Sequence, residues 1–113
     1  MLIPFMGGRD NGMKWLETIK LQSASGMESI TERELLGLAN EVRNGPDHRG
    51  SVEAMVYNHA SVPGYFAIRL FWSSGPPLVQ GSPLGMRITQ TLKTFGLVDH
   101  SVWIEKEKKG EWV

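Results

Sequence analysis

The stretch SVEAMVYNHASVPGYFAIRLFW (51–72) decides how the chain is read. In its second half Phe66, Ile68, Leu70 and Trp72 share one parity, while Tyr65, Ala67, Arg69 and Phe71 share the other. In its first half Val52, Ala54 and Val56 alternate with Met55 and Tyr57. A period of two places successive side chains on opposite faces of a sheet. Between the runs, Ser61-Val62-Pro63-Gly64 brings together a residue with a preset φ and one that accepts a positive φ, which suits a type II turn. The stretch therefore predicts an antiparallel hairpin with strands over 51–60 and 64–72. Both faces of its second strand are partly apolar, so the sheet needs cover on both sides.

Outward from the hairpin, MKWLETIKLQS (13–23) alternates as another strand, with Trp15, Ile19 and Leu21 on one parity. Glu17 falls on that apolar parity. Pointing inward, it would need a partner, since a buried unpaired carboxylate is costly, and such a group suits acid–base chemistry. A strand that begins one residue later, or bulges, leaves it in water, and this simpler reading is the expectation.

SITERELLGLANEVRNGP (29–46) reads as a helix. Thr31 with Glu34 forms a capping box with Ile30 and Leu35 as its staple, and Ser29 with Glu32 is an equally good box. Leu35, Leu38, Ala39 and Val42 form its apolar stripe, and Asn44-Gly45-Pro46 stops it. A second helix is predicted over 82–97, capped by Ser82 with Pro83 at the first helical position and Leu84, Ile88, Leu92 and Phe95 as its stripe. Gly96 is placed for a left-handed cap with Leu97 folding back on Leu92. LVDHSVWIEKE (97–107) alternates as the last strand.

The order strand, helix, strand, strand, helix, strand predicts an α+β, ferredoxin-like βαββαβ domain over residues 13–106, with two helices on one face of a four-stranded antiparallel sheet. Residues 1–12 form an N-terminal arm and 107–113 a charged tail in which Trp112 is a pin. Met13 is an alternative start. Helix-facing positions include Ile19, Leu21, Phe66, Ile68, Leu70, Trp72, Val102 and Ile104. The open face then carries Leu16, Thr18, Lys20, Tyr65, Arg69, Phe71, Ser101 and Trp103, joined by Met55, Tyr57 and His59 if the valines of 51–60 face the helices. So aromatic a face marks an interface or a binding groove.

In element order and in this apolar open face, residues 13–106 resemble the dimeric α+β barrel superfamily, which includes antibiotic-biosynthesis monooxygenases, muconolactone-isomerase-like proteins and stress-responsive barrel proteins. The resemblance implies a sheet-to-sheet homodimer with a small-molecule pocket between sheet and helices. It carries no family motif, and so implies no particular activity.

Composition narrows the alternatives. Among 113 residues, twelve Lys+Arg balance twelve Asp+Glu. Nucleic-acid binders draw affinity from basic excess, so that class is disfavoured. The chain has no cysteine, which excludes disulfides, thiolate chemistry and iron–sulfur clusters and is compatible with a cytoplasmic location. No apolar run reaches the ~20 residues of a membrane span. MLIPFM is too short for a signal-peptide core.

The loop WSSGPPLVQGSPLG (72–85) leads into a helix N-terminus, where free N–H groups can bind an anion. It lacks the Gly-Lys-Ser/Thr ending of a phosphate loop, and two prolines remove donors, so it reads first as a stiff connection and second as a pocket rim. His48, His59 and His100 share no ligand spacing, so no metal site is expected. Arg69, among aromatics, suits either a carboxylate ligand or a dimer interface, and the interface reading leads. The function expected is a small homodimeric α+β protein that binds a small flat or acidic ligand, without a cofactor. Tyr57, His59, Arg69 and Trp103 line the site, with Arg69 as anion partner and His59 as titrating group. The alternative is a non-enzymatic module that meets protein or single-stranded RNA through the aromatic face.

Overall fold

The computed structural model describes residues 14–45 and 51–106. The strands are β1 (Trp15–Ser23), β2 (Val52–Asn58), β3 (Tyr65–Trp72) and β4 (Gly96–Ile104); the helices are α1 (Glu28–Asn44) and α2 (Pro83–Leu92). The strands form one sheet in the order β2-β3-β1-β4, every neighbour antiparallel. This is the ferredoxin-like βαββαβ arrangement expected from the element order. The arm, Met13, His48 and the tail with Trp112 lie outside the described residues.

Register sets the two faces. Ile19 stands opposite Ile68 on β3 and His100 on β4, and Leu70 stands opposite Glu17 and Ala54. That face meets Leu35, Ala39 and Val42 of α1 and Leu84, Ile88 and Leu92 of α2 in a single core. Burying each large aliphatic side chain contributes about 1.5–3 kcal/mol, which is why the parity pattern chooses the register. The hairpin turn has Gly64 at φ 76°, with the Tyr65 amide donating to Val62 O, as a Pro-Gly type II turn requires.

Two helix ends differ from expectation. α1 starts at Glu28, and its N-cap residue Met27 makes no side-chain cap bond. Thr31 is not a cap: it is fully buried, its amide donates to Met27 O, and its hydroxyl lies 3.0 Å from Ser23 Oγ. Ser23 offers that hydroxyl a buried partner, so the helix winds one turn earlier than a capping box allows. Ile30, half exposed, staples nothing. At the other helix, α2 ends at Leu92 and Gly96 opens β4 opposite Ser23. A Cβ at Gly96 would lie 2.0 Å from Gln22 O, so this glycine serves the close approach of β1 and β4. Leu97 is 80% exposed instead of folding back on Leu92.

Gly37 has open space around its would-be Cβ and sits inside α1. Gly37→Ala is therefore expected to stabilise the domain by about 0.5–1 kcal/mol, through helix propensity alone. A raised urea midpoint at unchanged m-value checks it.

Candidate functional site

Glu17 is the third residue of β1 and points into the helix-covered side with no exposed surface. This corrects the expectation that it stands in water. The strand neither starts late nor bulges there: Glu17 pairs in register with Leu70 and Val102. What makes burial tolerable is a complete set of donors. Oε1 accepts from the Ser82 amide at 3.1 Å and lies 2.7 Å from His100 Nε2. Oε2 accepts from Trp72 Nε1 at 2.8 Å and from the Ser82 hydroxyl at 2.5 Å. Three donors and one imidazole nitrogen on two oxygens suit the acceptor-only inventory of a carboxylate.

The loop before α2 makes this possible. Ser82 is the N-cap of α2, where its hydroxyl accepts from the Gly85 amide at 2.9 Å while giving its one proton to Glu17. The anion that a helix N-terminus favours is thus supplied by the chain itself. Two glycines provide clearance. A Cβ at Gly81 would stand 2.3 Å from His100 Cε1, and one at Gly85 2.0 Å from Glu17 Oε1.

His100 lies on β4, an edge strand that the helices cover incompletely. Val98, His100 and Val102 are half-buried on the helix side, and Ile104 is half exposed. The His100 side chain keeps 13% of its surface while Glu17 keeps none.

A cavity of about 1000 Å³ opens at the end of the sheet where β1 and β2 begin and β3 and β4 finish. Trp15 and Trp72 stack in its wall, centroids 5.3 Å apart and planes 10° apart. Phe71 and Trp103 line it from the other face of the sheet, Lys14 and Arg43 supply cationic groups, and Glu53 and Glu105 supply anionic ones. Arg43 is anchored by a 3.1 Å bond to Ala54 O. Trp15 Nε1 is buried without a hydrogen-bond partner.

The residues singled out from sequence do not all gather at one place. Arg69 lies over the Tyr57 ring at 5.1 Å on the open face. Trp103, 59% exposed, donates to Ser101 Oγ at 2.9 Å and reaches the cavity from β4, which β3 and β1 separate from β2. His59 lies past the end of β2, where its Nδ1 accepts from the Ser61 and Val62 amides at 3.1 and 3.0 Å and its ring stacks on Tyr65. That histidine organises the hairpin turn. The residues missed were His100, Ser82 and Trp72 as partners of Glu17. The parity of Glu17 was the one available signal. No group of three or more His, Cys, Asp or Glu among the described residues could hold a metal ion.

Fold and site together define a ferredoxin-like α+β protein with a buried carboxylate hub and an aromatic outer sheet. No family model and no curated protein matches the chain. Solved structures do match in fold. The PA3566 protein of Pseudomonas aeruginosa has a TM-score of 0.64 at 14% identity, covering 88% of this chain and all of its own. A candidate antibiotic biosynthesis monooxygenase from Deinococcus radiodurans has a TM-score of 0.58 at 16% identity, over 84% of this chain and 93% of its own. A Bacteroides thetaiotaomicron protein of unknown function, described as a possible oxidoreductase, has a TM-score of 0.53 at 8% identity, covering 85% of this chain and all of its own. At these identities the likeness is one of fold. No helix among the described residues is long and apolar enough to cross a membrane.

Proposed function

We propose that this chain is one half of a face-to-face homodimer that binds a small, flat, acidic molecule. The observation that carries the reading is continuity between the open face and the cavity. Met55, Phe71 and Trp103 belong to both. Met55, Tyr57 and Trp103 are 46%, 39% and 59% exposed, so a second copy laid on this face shields them and roofs the cavity at once. Inside, stacked indoles suit a planar ligand; Lys14 and Arg43 suit an acidic group on it, within a lining that Glu53 and Glu105 bring to charge balance. Arg69 over Tyr57 fits an interface rich in arginine and aromatics. The candidate monooxygenase of the same fold supports the small-molecule part of the reading.

Light scattering at micromolar concentration is expected to give twice the 12.6 kDa chain mass. Trp103→Glu is expected to raise the dimer dissociation constant about thirtyfold or more, the effect of losing a hot-spot aromatic. A monomer for the unaltered protein sinks the dimer. Titration with a naphthoate is expected to quench tryptophan fluorescence to saturation, and a flat titration sinks the ligand. Saturable oligonucleotide binding at low salt would favour the module that meets RNA through the aromatic face.

A further inference from the structure

We propose that His100 is a proton-accepting catalytic residue, positioned by Glu17, that acts on a small carbon acid lying on the incompletely covered helix side of β4. The inference concerns a place distinct from the cavity. Ile104 reaches the cavity opposite Trp15, whereas His100 stands opposite Ile19, deeper along the same strand.

Three observations carry it. First, Glu17 cannot turn away: Trp72 Nε1, the Ser82 amide and the Ser82 hydroxyl fix the carboxylate, and its remaining acceptor direction points at His100 Nε2, 2.7 Å away. A carboxylate held against one ring nitrogen sets the tautomer with the proton there, leaving a lone pair on the other, Nδ1. Second, the network has a proton-exchanging exit. Glu17 is sealed and Ser82 is 3% exposed, while the imidazole keeps 13% of its surface between Val98 and Val102, half-buried apolar neighbours that suit a flat organic ligand. Third, the arrangement is made at a cost that packing alone does not explain. Well-packed apolar side chains hold strands and helices together as well as a buried ionic cluster does. Here two glycines also stand aside for Glu17 and His100.

The step balances without a co-reactant. The Nδ1 lone pair takes a proton from carbon α to a carbonyl, the C–H electrons become the enolate double bond, and the charge moves to the carbonyl oxygen. The imidazolium so formed lies against the Glu17 carboxylate, and it returns the proton to the same or a conjugated carbon.

The probe is 5-nitrobenzisoxazole, a flat carbon acid that opens on loss of its one C3 proton, as the N–O bond breaks to give a coloured cyanophenolate. The unaltered protein is expected to exceed free imidazole about a hundredfold in second-order rate, the scale of general-base catalysis. His100→Ala is expected to abolish the excess, Glu17→Gln to lower it at least tenfold, and Glu17→Asp to retain part of it. A protein no faster than imidazole, or a His100→Ala variant that keeps its rate, overturns the proposal. Where variants fail to fold, long-range ¹H–¹⁵N ring correlations on the unaltered protein decide. His100 protonated at Nε2 with a bare Nδ1 is expected, and the opposite tautomer overturns it. These readouts differ from chain mass and fluorescence quenching, so failure of the dimer or of cavity binding leaves them unaffected.

Discussion

Glu17→Gln is expected to lower the free energy of unfolding by about 3 kcal/mol, within the range for breaking a buried charge network and far above a surface substitution. The amide keeps the shape but has one acceptor oxygen. Turned one way its NH₂ faces the Ser82 amide, and turned the other it faces the Trp72 indole N–H, so a donor stands against a fixed donor in either orientation. Ser82 is buried and the Trp72 indole only partly exposed, so water has little access to the mismatch. Urea titration followed by far-UV circular dichroism reads the loss as a lower midpoint at the same m-value. A variant within about 0.5 kcal/mol of the parent, the scale of surface substitutions, would mean that the carboxylate is not a structural hub.

Gly85→Ala carries the second large effect, and its sign is opposite to that of the same change at Gly37. Both glycines lie in helices, where alanine alone is worth about 0.5–1 kcal/mol. At Gly85 the added methyl would stand 2.0 Å from Glu17 Oε1 and 2.8 Å from its carboxyl carbon. Either α2 lifts off the sheet or the carboxylate leaves its donors. Overpacking of this kind costs about 1–3 kcal/mol before any lost hydrogen bond is counted, so net destabilisation is expected. Glu17→Asp withdraws the carboxyl by one methylene. In a double-mutant cycle, the cost of Gly85→Ala should shrink on that background, with a coupling of about 1 kcal/mol or more. Additive costs would mean that the two residues do not meet.

The fold was legible because its signals are local and repeated. Hydrophobic parity along 15–23, 52–58 and 65–72 marks strands, Pro63-Gly64 marks the hairpin, and the Leu35–Val42 and Leu84–Leu92 stripes mark helices. The helix ends were misread where a tertiary partner outbid a local one. Ser23 claims the hydroxyl of Thr31, and the nearness of Gln22 to Gly96 begins a strand where a helix cap was expected. The hub was half legible. An acid among Trp15, Ile19 and Leu21 announces itself, but its partners lie 55, 65 and 83 residues away. Nothing in the spacing of Trp72, Ser82 and His100 reveals that three separate elements converge on one side chain. His59 was expected to line the site on the open face as its titrating group, whereas its ring nitrogen serves the turn it sits in.

The convergence also acts as a proofreading device for strand alignment. A sheet with apolar residues on both faces tolerates a one-residue slip better than a half-polar one, because each strand still offers something greasy to the core. Here a slip of β1 would swing Glu17 to the outer side and leave the Ser82 amide, the Trp72 indole and the His100 ring facing Leu16, which accepts nothing, or Thr18, whose one short hydroxyl does not replace two carboxylate oxygens. Misaligned chains thus lose several kilocalories that correctly threaded ones keep, and a single acid keeps an otherwise ambiguous aromatic sheet in one alignment.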